Sequence, residues 1–237
     1  MAQVVFAIIT GIVPALFWLW FWLHEDSAKP EPKALIGEIF VLGGLAVIPA
    51  FYLEQWLGAG EPLPTTLTGL LLVITLWATV EEGLKFIAVY LGGLRLSFYD
   101  EPVDAMIYMV TAALGFAAIE NTLFILGALN DLGGVHYILT GNFRFLGATL
   151  VHVVCSAIIG GVIGLAFKQS RLKRASYFTV GFIAACMLHA LFNYFIITTN
   201  SDLIFIIFGV LWLAGVLIIF LFERVKDSII EKHFTPS

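Results

Sequence analysis

Seven apolar runs, each about as long as a bilayer is thick, leave this chain little choice of fold. A helix needs about 20 such residues to cross the hydrocarbon core. Runs of that kind fall at roughly residues 3–23, 34–57, 66–92, 102–128, 143–167, 176–198 and 202–222. In lipid every backbone N–H and C=O must find its partner within the segment, so the runs are expected to be helices. With 60% of the 237 residues hydrophobic and 12% charged, there is too little polar surface to dissolve a domain of this size. The expectation is an all-α, polytopic membrane helix bundle with seven transmembrane helices, forming a single domain over 1–237. Pro14 and Pro49 fall inside the first two runs and are expected to kink them. Trp18, Trp20 and Trp22 crowd the end of the first run, as aromatics do at a membrane interface. Gly160 and Gly164 form a G-x-x-x-G spacing that lets helices approach closely.

The loops set the expected orientation. Lys29 and Lys33 follow run one, and Arg95 follows run three. Lys168, Arg171, Lys173 and Arg174 follow run five, and Arg224, Lys226 and Lys232 follow run seven. The loops on the opposite side carry no Lys or Arg. By the positive-inside rule the N-terminus is expected outside and the C-terminus in the cytoplasm. The first run lacks a basic n-region and a small-residue cleavage site, so it is read as a transmembrane helix and not as a signal peptide. Seventeen acidic residues against twelve basic ones argue against a nucleic-acid partner. Cys155 and Cys186 are isolated within apolar runs and read as small buried hydrophobes. The sequence sets no oligomeric state.

Charges at bilayer depth are costly and usually paired or functional. They concentrate in four consecutive runs: Glu81, Glu82 and Lys85; Glu120 with Asn121; His152 with Ser156; His189 with Asn193. Glu81–Lys85, His152–Ser156 and His189–Asn193 are each spaced i,i+4, which places each pair on one helical face. Four such faces are expected to turn inward around a polar chamber, with the motif-bearing core at about 66–198. Counting 1.5 Å per residue from the outer ends puts Glu81 about 22 Å deep and Glu120, His152 and His189 about 12–13 Å deep. Glu38 and Glu54, near the ends of run two, read as interfacial and non-catalytic. Asp104 and Arg144 lie near span ends, where long or polar side chains reach water easily.

These residues resemble a known family. "VEEGLKF" resembles the E-E-x-x-K motif of the PrsW intramembrane proteases, and Phe116, Glu120 and Asn121 resemble their F-x-x-x-E-N motif, with Asp104 at the start of that helix. Arg144, His152 and Ser156 are similar to their Arg-then-His helix, and His189 with Asn193 to their final H-x-x-x-N. The wider superfamily is similar to the CAAX prenyl proteases, which carry His where Glu120 stands and Arg at one residue's greater spacing than Lys85. The resemblance implies hydrolysis of a peptide bond within or beside a bacterial or archaeal cytoplasmic membrane. It also implies a membrane-anchored substrate such as an anti-sigma factor, clipped first on the extracytoplasmic side.

The expected catalytic residues are Glu81, Glu82, Glu120, His152, His189 and Asn193, supported by Lys85, Asn121, Arg144 and Ser156. Glu81 would activate water, with Glu82 oriented by Lys85, although their adjacency leaves the two roles exchangeable. The two side chains point about 100° apart, so only one can face the chamber. His152 would hold the water or the second carboxylate. His189 and Asn193 would donate to the oxyanion, and Glu120 would bind the same water or protonate the leaving amine. The competing mechanism is zinc-dependent, with Glu82 or Glu81, Glu120, His152 and His189 as the ligand set. The cofactor is thus none or zinc. The alternatives to a protease are a cation or proton transporter and a non-catalytic scaffold. The lack of an inverted repeat argues against the transporter.

Overall fold

The computed structural model describes residues 2–25, 30–59, 62–130, 134–198 and 204–230, the side chains of 2, 25, 128–130, 134–146, 204 and 226–230 excepted. The described residues form helices and connecting turns, with no strand. In chain order the helices are α1 (Ala2–Glu25), α2 (Lys33–Leu45), α3 (Val47–Trp56), α4 (Leu67–Val89), α5 (Asp104–Asn130), α6 (Gly134–Leu165), α7 (Arg171–Thr198) and α8 (Ile204–Ile230).

Among the described residues, six segments are long and apolar enough to cross a membrane: Gln3–His24, Lys33–Trp56, Asp104–Gly127, Gly147–Leu165, Arg171–Thr198 and Phe205–Val225. The seventh expected run is α4, a 23-residue helix outside that set, whose interior carries Glu81, Glu82 and Lys85. The second run is interrupted at Ala46, which separates α2 from α3. Pro49 explains the break, because it offers no N–H to Leu45 and its ring crowds that carbonyl. Pro14, by contrast, leaves α1 continuous. One missing hydrogen bond is tolerated in a membrane helix held by its neighbours.

From Ala105 to Ala118 helix α5 presents apolar residues on every face, and a stretch of that kind belongs in the centre. Side chains on every face of it are buried, from Ala105 to Ala118, and it packs against α1, α2 and α6. Small residues make this possible. Gly115 faces the Phe40 carbonyl and Gly43 faces the backbone of Ala112, so α2 and α5 meet backbone to backbone. Gly160 and Gly164 do the same for α6 against Met106 and Pro102 at the start of α5, which is the use the G-x-x-x-G spacing anticipated. Of the three tryptophans, Trp22 is buried and packs on Phe222 of α8 at 5.5 Å between ring centroids, whereas Trp20 faces outward.

The start and end of α4 are both defined locally. Thr66 caps the start, its Oγ1 accepting the Gly69 N–H at 3.3 Å. After Val89 the chain widens into a π turn, Tyr90–Leu94, in which Gly93 lies against the Tyr108 ring. Asp104 closes the following turn by accepting the N–H groups of Asp100 and Glu101 at 3.1 and 2.7 Å. It therefore acts at the entrance to α5.

A Gly115→Val substitution is expected to force α2 and α5 apart and to destabilise the chain by about 1–3 kcal/mol, the usual cost of overpacking. Thermal unfolding of the purified protein in detergent measures this. Gly209→Ala, with open space around it, is expected to leave the transition unchanged or slightly raised.

Candidate active site

The polar groups scattered along four runs converge on one ammonium. Lys85 on α4 is wholly buried, and its Nζ donates to Glu82 Oε1 at 2.7 Å, one helical turn back. Glu81, at i,i+4, lies farther off, with Oε2 3.6 Å from Nζ. The same Nζ meets His152 Nδ1 of α6 at 2.7 Å and sits 4.5 Å from the centroid of the Phe116 ring on α5. An ammonium can only donate, so His152 Nδ1 is the acceptor and its proton lies on Nε2. That nitrogen donates to Glu120 Oε2 at 2.6 Å.

Glu82 is the structural carboxylate. Beyond Lys85 it accepts from His189 Nδ1 at 2.9 Å and from Ser156 Oγ at 3.1 Å, and it is fully buried. Because His189 spends its Nδ1 proton on Glu82, its Nε2 faces Glu81 Oε2 at 3.8 Å. Glu81 is also buried, yet its Oε2 makes no hydrogen bond. His152 Nδ1 is 3.7 Å from that same oxygen, and the two imidazoles stand edge to face with centroids 5.0 Å apart.

A cavity of about 170 Å³ opens on this cluster. Glu81, Glu120, His152, His189, Asn121 and Asn193 line it, and Glu82 does not. Of the two adjacent carboxylates, then, Glu81 faces the chamber and Glu82 is enclosed behind it. Asn121 donates to Thr149 Oγ1 at 2.9 Å, tying α5 to α6 at the chamber wall. Only the backbone of Arg144 falls within the described residues. Glu54, expected at the interface, also lines the cavity, as does Trp77. Trp77 had a legible signal, since it is four residues before Glu81 and so on its face of α4. Glu54 had none, because only the packing of α3 against α4 turns it inward.

The expected depth difference between Glu81 and the histidines does not exist. His152 Nδ1 and His189 Nε2 lie 3.7 and 3.8 Å from Glu81 Oε2, and α6 begins at Gly134, well before the expected start near 143, which alters the count for His152.

The residue types fit a divalent ion, but the His152 Nδ1 lone pair that would bind it is taken by Lys85 Nζ. Glu81, His152 and His189 offer ligand atoms that all lie within 4.8 Å of one another. Each histidine turns its other nitrogen to a carboxylate, His152 to Glu120 and His189 to Glu82, which is the support that metal-binding imidazoles ordinarily have. Glu82 and Glu120, expected among the ligands, stand behind the histidines. Glu82 also groups with Cys155 and His189. Both cysteines are buried and unpaired, as expected.

Removing the central charge is expected to be costly. Lys85→Met leaves Glu82 buried without its main counter-charge, and loss of one partner of such a pair costs about 3–5 kcal/mol. Ser156→Ala removes one hydrogen bond to Glu82 and is expected to cost about 1 kcal/mol. Chemical denaturation in mixed micelles distinguishes the two.

The chain resembles known proteins over most of its length. The model of the PrsW family intramembrane metalloprotease matches residues 31–222. The Protease PrsW of Geobacillus kaustophilus is 27% identical over 187 residues, covering 79% of this chain and 78% of that protein. The Protease PrsW of Bacillus subtilis is also 27% identical, over 84% of this chain and 87% of its own. That of Clostridioides difficile is 25% identical over 78% and 76%. No solved structure matches the chain. With the family model covering most of the residues and the charged cluster buried among membrane-spanning helices, the chain is an integral membrane protein that belongs to the PrsW family of intramembrane proteases.

Proposed function

We propose that the chain cleaves a membrane-anchored protein at the Glu81–His152–His189 cluster, with a divalent ion such as zinc held there. The observation that carries this reading is Glu81 Oε2: a buried carboxylate oxygen with no hydrogen bond, facing two imidazoles whose outward nitrogens are already held by Glu120 and Glu82. A divalent ion at this position supplies Lewis acidity toward a peptide carbonyl. The protein's own groups do the rest. Glu82 and Glu120 fix the rings of His189 and His152. Glu120, with its side chain 42% exposed, lines the chamber, where it takes the proton of the attacking water and passes it to the leaving amine. Asn193 lines the same chamber and donates to the oxyanion, a contribution of roughly 3–4 kcal/mol in the transition state.

A metal-free glutamate site is favoured by one contact. Lys85 Nζ lies 2.7 Å from His152 Nδ1, so a positive charge already occupies the lone pair that a metal would take. In that reading Glu81 itself takes the proton from water, and Asn193, with His189 once its Nε2 is also protonated, stabilises the oxyanion.

The substrate proposed is a single-pass protein of the anti-sigma-factor kind, cut on the extracytoplasmic side. Two features support this. The cavity runs from the cluster toward Glu54, Phe124 and Ile197, near the ends of α3, α5 and α7. The loops after those ends carry no Lys or Arg, and such loops lie outside by the positive-inside rule.

Co-expression with a panel of tagged single-pass proteins tests the activity. Wild type is expected to release a cleaved product, and Glu81→Gln and His189→Ala to reduce it by at least about a hundredfold. Cleavage untouched by both substitutions would overturn the site. Elemental analysis of protein purified without chelators decides the mechanism. About one divalent ion per chain, lost in Glu81→Gln, is the expected result, whereas an active and metal-free enzyme establishes the glutamate reading.

A further inference from the structure

Two polar atoms of the same cavity are buried and unbonded without belonging to the catalytic cluster. One is Glu54 Oε1 on α3, and the other is Trp77 Nε1 on α4. Buried polar groups are normally paired, so each exception calls for a partner. Here the pair is complementary. The indole N–H can only donate and the carboxylate oxygen can only accept. Around them the chamber wall is apolar, from Phe124, Phe192, Ile196 and Ile197.

We propose that Glu54 and Trp77 form a subsite for the backbone of an extended substrate segment, with Trp77 donating to a substrate carbonyl and Glu54 accepting a substrate N–H. This rests on the proteolytic reading of the neighbouring cluster and adds how the substrate is held. A peptide bond inside a transmembrane helix has its N–H and C=O already paired, and it must unwind before it can be cut. Unwinding frees main-chain donors and acceptors in a low-dielectric space, where leaving them unpaired costs several kcal/mol each. A subsite with one donor and one acceptor offsets part of that cost. It would also select for an unwound backbone and not for a particular side chain, much as strand-adding domains draw affinity from main-chain hydrogen bonds.

The register is consistent. Trp77 is four residues before Glu81 on one face of α4, about 6 Å along the helix axis. An extended chain advances about 3.3 Å per residue. Trp77 therefore addresses a carbonyl about two residues from the bond positioned at Glu81. Glu54 comes from α3, which packs on α4, so the donor and the acceptor stand on neighbouring helices of one chamber. The same chemistry accounts for the position of Trp77 in packing. Its ring rests against Ile74, Ala78 and Ala190, which fixes the side chain while its Nε1 stays unbonded.

Binding and cleavage separate this subsite from the chemistry. The binding probe is a fluorescein-labelled single-pass peptide of about 20 apolar residues with a glycine-containing, helix-destabilised outer end. Its affinity for the full-length Glu81→Gln protein in nanodiscs is read by fluorescence anisotropy. Trp77→Phe, which keeps the ring and removes the N–H, and Glu54→Leu, which removes the acceptor, are each expected to weaken binding about tenfold. Glu54→Gln keeps an acceptor oxygen and is expected to stay within about threefold. In the otherwise wild-type protein the same changes are expected to raise KM for a cleaved reporter more than they lower kcat. Thermal melts of the Trp77→Phe and Glu54→Leu proteins matching the parent show that the fold is kept. Absence of probe binding, or affinity equal across the three substitutions, overturns the subsite. Lost cleavage with the binding pattern intact supports the subsite and counts instead against the proposed chemistry.

Discussion

The structure depends on one buried ion pair. Lys85 has no exposed surface, and taking an ammonium out of water costs several kcal/mol unless its charge and all its donors are met. Glu82 meets the charge, His152 takes a second donor, and the Phe116 ring covers a face. Those contacts reach α4, α6 and α5, and Glu82 extends them to α7 through His189. Lys85 and Glu82 thus set the tautomers of both histidines. With Lys85 donating to His152 Nδ1, that ring must carry its proton on Nε2. With Glu82 accepting from His189 Nδ1, the Nε2 of that ring is left toward Glu81. The chemistry at Glu81 is prepared by a pair of charges that never touches the chamber.

The scaffold around this pair is rigid for a different reason. Helix–helix association in lipid gains little from apolar burial and relies on close backbone packing. Gly43 and Gly115 between α2 and α5, and Gly160 and Gly164 between α6 and α5, let three helices approach without intervening side chains. Side chains held on such helices keep their geometry better than side chains on loops. Every functional group named here except Glu54 lies well inside a helix of more than 20 residues. Glu54 comes from the short α3, whose direction is set by the break at Ala46.

A division of labour between adjacent carboxylates follows from the helix itself. Glu81 and Glu82 are about 100° apart around α4. One therefore faces Ser156, His189 and Lys85 in the packed interior, and the other faces the open chamber. An unbonded carboxylate oxygen in a buried setting is unstable alone, and here it is kept by the over-determined network behind it. Functional sites store cost in this way when the surroundings leave no alternative.

Much of this was legible in the residues. Long apolar runs determined the helices, because no other structure satisfies a backbone in lipid. The i,i+4 spacings determined that Glu81, His152, His189 and Asn193 would share inward faces, and the motifs determined the family. Other features were decided only by the tertiary structure. Depth counted from helix ends separated Glu81 from the two histidines that it faces at 3.7 and 3.8 Å. Glu82 was expected to be oriented by Lys85, and it is, but only the tertiary structure shows that His189 and Ser156 also hold it. Glu54 was invisible to any pattern along the chain. A break at Ala46 and the packing of α3 on α4 bring it into the chamber, and such a contact between distant segments is set by packing in three dimensions, not by periodicity in one.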